Sequence, residues 1–324
     1  MTMKANIAVI GCGGIAGAHM AYLAQLKNVK FAAMCDIDKG RAEKAAATYG
    51  GKIYTDFEKM LDEIKLDACF ICVPPFAHKG QEEACIERKI PFFVEKPLHL
   101  DMDKADAIAK KVQSAKLITS AGYVLRYFDV VDMAREVLAK EKIGAALGRY
   151  YGGVPGAGKA WYSKKSLSGG QLIEQSTHTV DMMRYLIGDV EEVFAYKFEG
   201  INKKLYEQYD VEDVSATLVR FKNGCIGNLT CTWLWSGFNS GVDVIGKGIM
   251  LGYAGNTLTI DRGNKKVIHT SSIAPMLEED RAFIRAVVKN DQSLVKSDYA
   301  DALKSLKVSF AAYTSMQTGK PVQL

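Results

Sequence analysis

The sequence of 324 residues has no apolar run that approaches the length of about 18 residues typical of a membrane span, so we expect no transmembrane helix. It has no block of like charges, and its net charge is only +5, so the charge distribution does not indicate binding to nucleic acid or to a membrane surface. The N-terminus has one Lys before a short apolar strand pattern, which does not suit a secretory signal. We therefore expect neither a nucleic-acid partner nor a membrane partner.

The cysteines also form no recognisable framework. There are seven of them, an odd number, which predicts reduced thiols and a cytoplasmic location. Cys69 and Cys72 match C-x-x-C, but they lie in the continuous apolar run 68–73, which is typical of a buried strand. Residues i and i+3 of a strand face opposite sides, so small core residues explain this pair better than a redox or zinc site. No metal site is predicted.

What is present is an ordinary globular composition, with 48% hydrophobic and 24% charged residues, at a length that suits two domains. Up to residue 122, short apolar strands alternate with helical patterns, which predicts an α/β Rossmann domain with a doubly wound parallel sheet. The predicted strands are 6–10, 30–35, 68–73, 92–94 and 118–121. The predicted helices are 15–26, 40–49, 57–64, 77–88 and 102–114.

After residue 122 the pattern changes to longer alternating segments separated by turn signals, which predicts an α+β domain with a large, mostly antiparallel sheet. Lys222-Asn223-Gly224, between two such segments, is a hairpin signal. The predicted strands are 192–199, 214–221, 225–233, 241–246, 257–261 and 266–270, and the predicted helices are 170–188, 278–289 and 299–318. The predicted domains are therefore 1–122 and 123–324.

A glycine-rich segment, GCGGIA, follows the first predicted strand and matches G-x-G-x-x-[G/A]. Gly11 allows a tight turn, Gly13 lets the backbone approach a pyrophosphate, and Ala16 lets helix and strand pack closely. Gly14 and Ile15 open the helix, whose first N–H groups suit an anion. An ordinary strand–helix turn is the alternative, but the place of the motif at the start of an alternating domain favours a dinucleotide site.

Asp36 ends the next predicted strand, 20 residues after Ala16, which is the spacing expected of a ribose-binding acid. A carboxylate there accepts hydrogen bonds from a ribose 2′-OH and repels a 2′-phosphate, so NAD is favoured over NADP. Ile37 follows instead of Arg. The alternative for Asp36 is a helix N-cap or turn residue.

Two proline-containing motifs, PPFAH and EKP, each follow a predicted parallel strand. The carboxyl edge of such a sheet is where ligands bind. A partly buried lysine at this edge, Lys96, can take part in proton chemistry. Each motif could also be plain loop, and His78 could be a satisfied histidine at a helix start. The candidate cofactor contacts here are Pro74, Pro75, His78, Glu95, Lys96 and Pro97.

The predicted helix 170–188 carries Glu174, His178 and Asp181 at i, i+4 and i+7, which places them on one face. A histidine oriented by neighbouring carboxylates can act as a general base, and the three residues are candidate catalytic groups together with Lys96. A surface ladder of ion pairs is the alternative. A zinc site would need a further ligand of matching spacing, and none is found.

The order of these motifs resembles the glucose–fructose oxidoreductase / inositol dehydrogenase / rhizopine-catabolism (Gfo/Idh/MocA) family over nearly the whole chain. The resemblance implies that Lys96 and His178 flank the nicotinamide and the reacting carbinol, with His178 as the base and Lys96 orienting or helping to protonate the substrate oxygen. It also implies a cis bond before Pro97. The sequence departs from sugar-alcohol members at Glu174, where Asp is usual, and at Ser176, where Gly is frequent.

The segment GYVLRY, at 122–127, is similar to the domain-junction motif of the family and makes Tyr123 and Arg126 candidate substrate contacts. An aromatic wall for a sugar or cyclitol ring is a further possibility, although such residues are more often core. Its members would be Tyr151, Trp161, Trp233 and Trp235. The candidate substrate contacts are Tyr123, Arg126, Trp161 and His178.

These observations favour an NAD-dependent oxidoreductase that acts on a sugar, a sugar derivative or a cyclitol. An NAD-dependent glycosidase that oxidises its substrate transiently is the first alternative, and a non-catalytic dinucleotide-sensing regulator is the second. Leu229, Cys231 and Trp233 recur with period two, and we expect them on a sheet face that helices leave open. That face predicts a homodimer or homotetramer, which the resemblance also implies.

Overall fold

The computed structural model of the chain describes residues 4–158 and 161–324. The chain forms two compact units, the first from residues 4–124 and 274–303, and the second from residues 125–273 and 304–324. The single boundary predicted at residue 122 does not describe the return of residues 274–303 to the first unit.

The first unit is built on six parallel strands and their helices. The strands are β1 (Ala5–Ile10), β2 (Val29–Cys35), β3 (Lys52–Tyr54), β4 (Ala68–Ile71), β5 (Phe92–Val94) and β6 (Thr119–Ala121). The helices are α1 (Gly14–Leu23), α2 (Lys39–Tyr49), α3 (Phe57–Glu63), α4 (Gln81–Glu87) and α5 (Met102–Ala115). The strand order β3-β2-β1-β4-β5-β6, with every neighbouring pair parallel, confirms the predicted Rossmann sheet.

Local sequence explains most of these elements. β4 is buried along its whole length, as its continuous apolar run predicts for a strand covered on both faces. Asp38, Asp56 and Asp101 cap α2, α3 and α5 by accepting hydrogen bonds from backbone N–H groups of the first turn. The sequence gives no signal for β3, because three residues with only one buried side chain are too few to show a period.

The second unit is built on nine strands. They are β7 (Ile143–Gly153), β8 (Val190–Phe198), β9 (Val214–Phe221), β10 (Ile226–Thr232), β11 (Leu234–Gly246), β12 (Ile249–Ala254), β13 (Thr257–Asp261), β14 (Lys266–Thr270) and β15 (Val322–Gln323). Its helices are α6 (Asp129–Leu138), α7 (Lys165–Ser168), α8 (Gln171–Glu174), α9 (Thr177–Ile187) and α10 (Asn202–Leu205). The order is β14-β13-β12-β11-β7-β10-β9-β8-β15. Only β7 and β10 pair in parallel, so the sheet is mostly antiparallel, as predicted.

The centre of this sheet was not predicted, because β7 is rich in glycine, which disfavours strands. The structure explains one of these glycines. A Cβ on Gly148 would lie 2.6 Å from the sulfur of Met183, so the missing side chain lets α9 pack closely on β7. The predicted hairpin is confirmed, since β9 and β10 pair antiparallel around Gly224, whose φ is +85°.

One face of the sheet is covered and the other is open, but the predicted residues lie on the covered face. Leu229, Cys231 and Trp233 are buried, with at most 2% of each exposed. The prediction was wrong because a period of two separates the two faces of a strand without showing which one is covered. The open face instead carries large apolar side chains from six strands, namely Leu147, Tyr196, Leu218, Ile226, Ile245 and Met250.

Two last helices complete the fold. They are α11 (Pro275–Lys289) and α12 (Tyr299–Thr318), of which residues up to 303 count with the first unit. Phe283 and Ile284 of α11 lie in the same apolar core as Met20 and Leu23 of α1. The helix that follows the second sheet is therefore a structural part of the first unit.

Candidate active site

The glycine-rich turn connects β1 to α1. Gly11 has a φ of +84°, and a Cβ there would lie 2.5 Å from the carbonyl oxygen of Cys72, so only glycine fits. A Cβ on Gly13 would meet no atom within 4 Å, so this side of the turn is open to a ligand. Gly13 is the N-cap of α1 and makes no side-chain cap, and the first turn of α1 has no acidic residue. Ala16 is fully buried, as close packing requires, whereas Ile15 is 43% exposed.

Asp36 follows β2 and is 7% exposed. Its carboxylate accepts hydrogen bonds from the backbone N–H groups of Cys12, at 2.8 Å, and Asp38, at 2.9 Å. The N-cap of α2 is Asp38, so the N-cap alternative for Asp36 is not realised. These features fit a dinucleotide, because an open backbone turn, free N–H groups at a helix start and a carboxylate at the next strand end lie together.

The PPFAH motif follows β4. Residues Pro75–Ala77 form a short 3-10 helix, and the predicted helix from residue 77 begins only at Gln81. His78 is 7% exposed and its Nδ1 lies 2.5 Å from Oε1 of Glu82. Burial works to raise the pKa of Glu82, but His78 outweighs it and lowers that pKa. Nδ1 of His78 thus has a carboxylate partner, whereas its buried Nε2 has no hydrogen-bond partner among the described residues.

The EKP motif follows β5. The Lys96–Pro97 bond is cis, as the family resemblance implies. Glu95 is 6% exposed, and its Oε2 accepts a hydrogen bond from the N–H of Lys96 at 3.0 Å. Lys96 itself is half-buried. The turn that carries Lys96 is therefore held by the side chain of the residue before it.

His19 and Asp280 are buried residues that the sequence analysis missed. His19 of α1 lies 2.9 Å from Oε1 of Glu95 and 2.7 Å from Oδ1 of Asp280. The signal for His19 was a histidine on the helix face that carries Ala16, Met20 and Leu23, which are all buried. No local signal could link Asp280 to this group, because it is separated from His19 by 261 positions.

The segment predicted as one helix, 170–188, is two helices, α8 and α9. The break falls at Gln175 and Ser176, where the N–H and the hydroxyl of Ser176 both donate to the carbonyl of Gln171. A hydrogen bond from residue i to residue i−5 interrupts the i to i−4 hydrogen bonds of an α-helix. Glu174 therefore does not share a helix face with His178. The predicted end is confirmed, because Gly188 is the C-cap of α9.

The two catalytic candidates of this segment have different surroundings. Glu174 is 4% exposed, and burial together with its charge raises the pKa of the Tyr150 hydroxyl. His178 is half-buried in the first turn of α9. Of these two candidates, it is the one that is partly accessible.

Asp181 and Arg126 are paired with each other. Arg126 donates to Asp181 from Nε at 2.7 Å and from Nη2 at 2.5 Å, and both residues are 2% exposed. Ser305 donates to the same carboxylate at 2.6 Å. The guanidinium of Arg126 also lies 4.3 Å from the ring centre of Tyr185. The buried salt bridge gives both residues a structural role, and the catalytic role of Asp181 and the substrate contact of Arg126 stay predictions.

The aromatic candidates are dispersed. Tyr123 is 1% exposed and Trp233 is 2% exposed, so both are buried, and the substrate contact at Tyr123 stays a prediction. Trp161 is half-buried and stacks on Tyr162 with ring centres 4.1 Å apart. Tyr151 is half-buried and Trp235 is 49% exposed. The geometry leaves Trp161, Tyr151 and Trp235 as surface aromatics of the second unit.

The described residues, 4–158 and 161–324, have neither a metal-binding cluster nor a membrane-spanning helix. They contain no group of three His, Cys, Asp or Glu side chains that could hold a metal ion. Among them there is also no helix with the length and apolar character needed to cross a membrane. All seven cysteines are free, and Cys69 and Cys72 are buried, as predicted for core residues.

The Rossmann sheet, its glycine turn and the acid after β2 define a dinucleotide-binding oxidoreductase. The Gfo/Idh/MocA model of an oxidoreductase family with an NAD-binding Rossmann fold matches residues 5–123. The model of the Gfo/Idh/MocA C-terminal domain matches residues 131–251. The chain belongs to the Gfo/Idh/MocA family of oxidoreductases, which confirms the resemblance seen in the sequence.

The chain is similar to two characterised relatives along its length. It is 26% identical to myo-inositol 2-dehydrogenase of Thermotoga maritima, over 98% of both chains. It is 28% identical to scyllo-inositol 2-dehydrogenase (NAD(+)) of Bacillus subtilis, over 100% of this chain and 97% of the relative. The solved structure of a levoglucosan dehydrogenase in complex with NADH has the same fold, with a TM-score of 0.88, 19% identity and 99% coverage of both chains.

Proposed function

We propose that this NAD-binding oxidoreductase is a dehydrogenase that moves a hydride between a hydroxyl-bearing carbon of a sugar, sugar derivative or cyclitol and NAD. The observation that carries the proposal is the position of the Asp36 carboxylate. Asp36 follows β2 and accepts a hydrogen bond from the backbone of the glycine turn. The names of the two inositol dehydrogenases, which match the chain from end to end, support the substrate class.

The residues present fit the cofactor. The backbone of Gly11 and Gly13 and the first N–H groups of α1 would hold the pyrophosphate, and Asp36 would accept hydrogen bonds from the ribose hydroxyls. When bound, the nicotinamide supplies or accepts the hydride. Pro74, Pro75, His78 and the EKP turn follow β4 and β5, at the carboxyl edge of the same sheet.

The chemistry left to the chain is the handling of one proton. In the direction of oxidation, His178 takes the proton of the substrate hydroxyl, since a ring nitrogen of a neutral imidazole can accept a proton. Lys96 orients the substrate oxygen through its ammonium group. Asp181 is not part of this set, because Arg126 and Ser305 occupy its carboxylate.

A panel of polyols, sugars and glycosides, read at 340 nm with NAD and with NADP, tests the proposal. NADH that accumulates with a free polyol or sugar supports it. The release of an aglycone from a glycoside without net NADH would instead indicate an NAD-dependent glycosidase. Cofactor binding without turnover of any compound would indicate a dinucleotide-sensing regulator.

We further propose that the protein is a homodimer or homotetramer that associates through the open face of the second sheet. Ile226, Ala145, Ile245 and Met250 lie side by side across four strands of that face. Three of them are 38% to 62% exposed, and an apolar surface of this kind is seldom left to water. The seven free cysteines support a cytoplasmic location.

A further inference from the structure

A buried chain of charged side chains lies beneath the Lys96 turn. His19, on α1, is fully buried, and its two ring nitrogens lie 2.7 Å from Asp280 and 2.9 Å from Glu95. Asp280 is also fully buried, and Glu95 is 6% exposed. Phe70 and Phe93 pack beside the imidazole, with ring centres 5.9 Å and 4.8 Å from it. The imidazole thus bridges two carboxylates in an apolar core.

With Asp280 and Glu95 both ionised, the bridge requires a protonated histidine; burial raises the pKa of Asp280, and His19 opposes that rise. Both ring nitrogens face carboxylate oxygens, and only an imidazolium can donate from both. Burial works to lower the pKa of His19, but Asp280 and Glu95 outweigh it and hold that pKa well above the usual value. Because unpaired charges in such surroundings are costly, each member depends on the other two.

The bridge ends at the backbone of Lys96. One oxygen of Glu95 accepts from His19, and the other accepts the N–H of Lys96 at 3.0 Å. A Cβ on Gly122 would lie 2.8 Å from that second oxygen, so the glycine makes room for the carboxylate. Glu95 is therefore fixed on one side by α1, the helix that begins at the glycine turn, and on the other by the turn that carries Lys96.

We propose that His19 and Asp280 are positioning residues of the active site, which hold Glu95 so that it fixes the Lys96 turn relative to α1. This inference rests on the proposed dehydrogenase function, in which Lys96 orients the substrate oxygen. It also gives a role to the return of the chain to the first unit, because α11 supplies Asp280. Neither residue touches the substrate or the cofactor, and both act through Glu95.

The test compares kcat and the Kd of NAD in variants of the bridge. His19→Gln carries both of its donors on one amide nitrogen, whereas the imidazolium donates from two separate nitrogens to two carboxylates. The amide oxygen cannot donate to the second carboxylate, so the position of the Lys96 turn is no longer fixed. We expect kcat to fall by up to about 10²-fold, the effect of a misplacement near 1 Å, while the Kd of NAD changes little. Leu23→Ala is the matched control, since Leu23 is equally buried on α1 and outside the bridge. It should lower the melting temperature and leave kcat unchanged.

A conservative variant separates positioning from packing. In Glu95→Gln the amide oxygen can still accept from Lys96, and the amide N–H can donate to a neutral His19. Glu95→Gln should therefore recover a large part of the activity lost in Glu95→Ala. A double-mutant cycle on kcat between His19→Gln and Glu95→Ala should be non-additive, since both changes break one bridge.

Three outcomes would overturn the inference. One is a His19→Gln enzyme with the kcat of Leu23→Ala, and another is a Glu95→Gln enzyme as slow as Glu95→Ala. With either of these two results the wild type would still be an active dehydrogenase, and the bridge would contribute only to the stability of the fold. The third is a wild-type enzyme that fails to reduce NAD with every polyol and sugar tested. That result would overturn the proposed function and this inference together.

Discussion

Asp36 Oδ2 accepts a hydrogen bond from the backbone N–H of Cys12 at 2.8 Å, which ties the end of β2 to the glycine turn. The other oxygen, Oδ1, accepts the N–H of Asp38 at 2.9 Å. A carboxylate has about four lone-pair sites, so these two bonds leave acceptor capacity for ribose hydroxyls. The backbone thus holds a negative charge where a 2′-phosphate would meet it.

This relationship predicts that the protein binds NAD more tightly than NADP. Asp36→Ser should weaken NAD binding by about 10- to 100-fold, which corresponds to roughly 1.5–3 kcal/mol for hydrogen bonds to a charged group. It should also reduce the ratio of the affinity for NAD to the affinity for NADP. Asp38→Ser is the matched control, because serine can still cap α2 and the change removes a neighbouring carboxylate. Calorimetry measures the Kd of NAD and the Kd of NADP for each protein. Tighter binding of NADP by the wild type would show that Asp36 does not serve the ribose.

The pairing of Arg126 with Asp181 predicts a loss of stability rather than of chemistry. Asp181→Asn removes one partner of a buried salt bridge, which should cost about 3–5 kcal/mol of the free energy of unfolding. The kcat of the folded fraction should stay near that of the wild type. Urea unfolding and turnover at low temperature measure the two quantities. A large fall in kcat at unchanged stability would return Asp181 to the catalytic set.

Cys12 lies in the glycine turn, but it should be unreactive at neutral pH. Burial and the neighbouring Asp36 carboxylate raise the pKa of its thiol to about 11. The thiolate is the reactive form, so the rate of alkylation by iodoacetamide should keep rising up to about pH 11. Asp36→Ser should shift this profile to lower pH. Peptide mass spectrometry follows the labelling, and rapid modification of Cys12 at pH 7 would contradict the account.

The proposed assembly is tested on the open face of the second sheet. Leu218 and Ile226 are 57% and 62% exposed, and a charge at each should separate the subunits. Light scattering at micromolar concentration should therefore show a dimer or tetramer for the wild type and a monomer for Leu218→Lys with Ile226→Lys. Val288→Lys, at an equally exposed position of α11, should leave the mass unchanged. A monomeric wild type would rule out the proposed interface.

Local sequence was sufficient for much of the first unit. The alternation of strands and helices predicts the parallel sheet, and the glycine turn predicts the start of α1, because each depends on neighbours in the chain. The break at Ser176 could not be predicted in this way, since it depends on a serine that returns to Gln171.

The remaining features depend on contacts between distant segments. Arg126 and Asp181 are 55 positions apart, and His19 and Asp280 are 261 positions apart. The period of β10 separates its two faces, but helices from elsewhere in the chain decide that Leu229 and Cys231 are covered. Such pairs and layers follow from the tertiary fold and have no signature in a single sequence.

The central claim is that His178 handles the proton of a hydride transfer, and the rate of NADH formation at 340 nm in His178→Ala tests it most directly. The true substrate comes from the panel, and calorimetry gives the Kd of NAD for the same variant. We expect kcat to fall by about 10²–10⁴-fold, the usual contribution of a general base, with the Kd of NAD preserved because Gly11, Gly13 and Asp36 are untouched. A His178→Ala enzyme that turns over at nearly the wild-type rate would contradict the account.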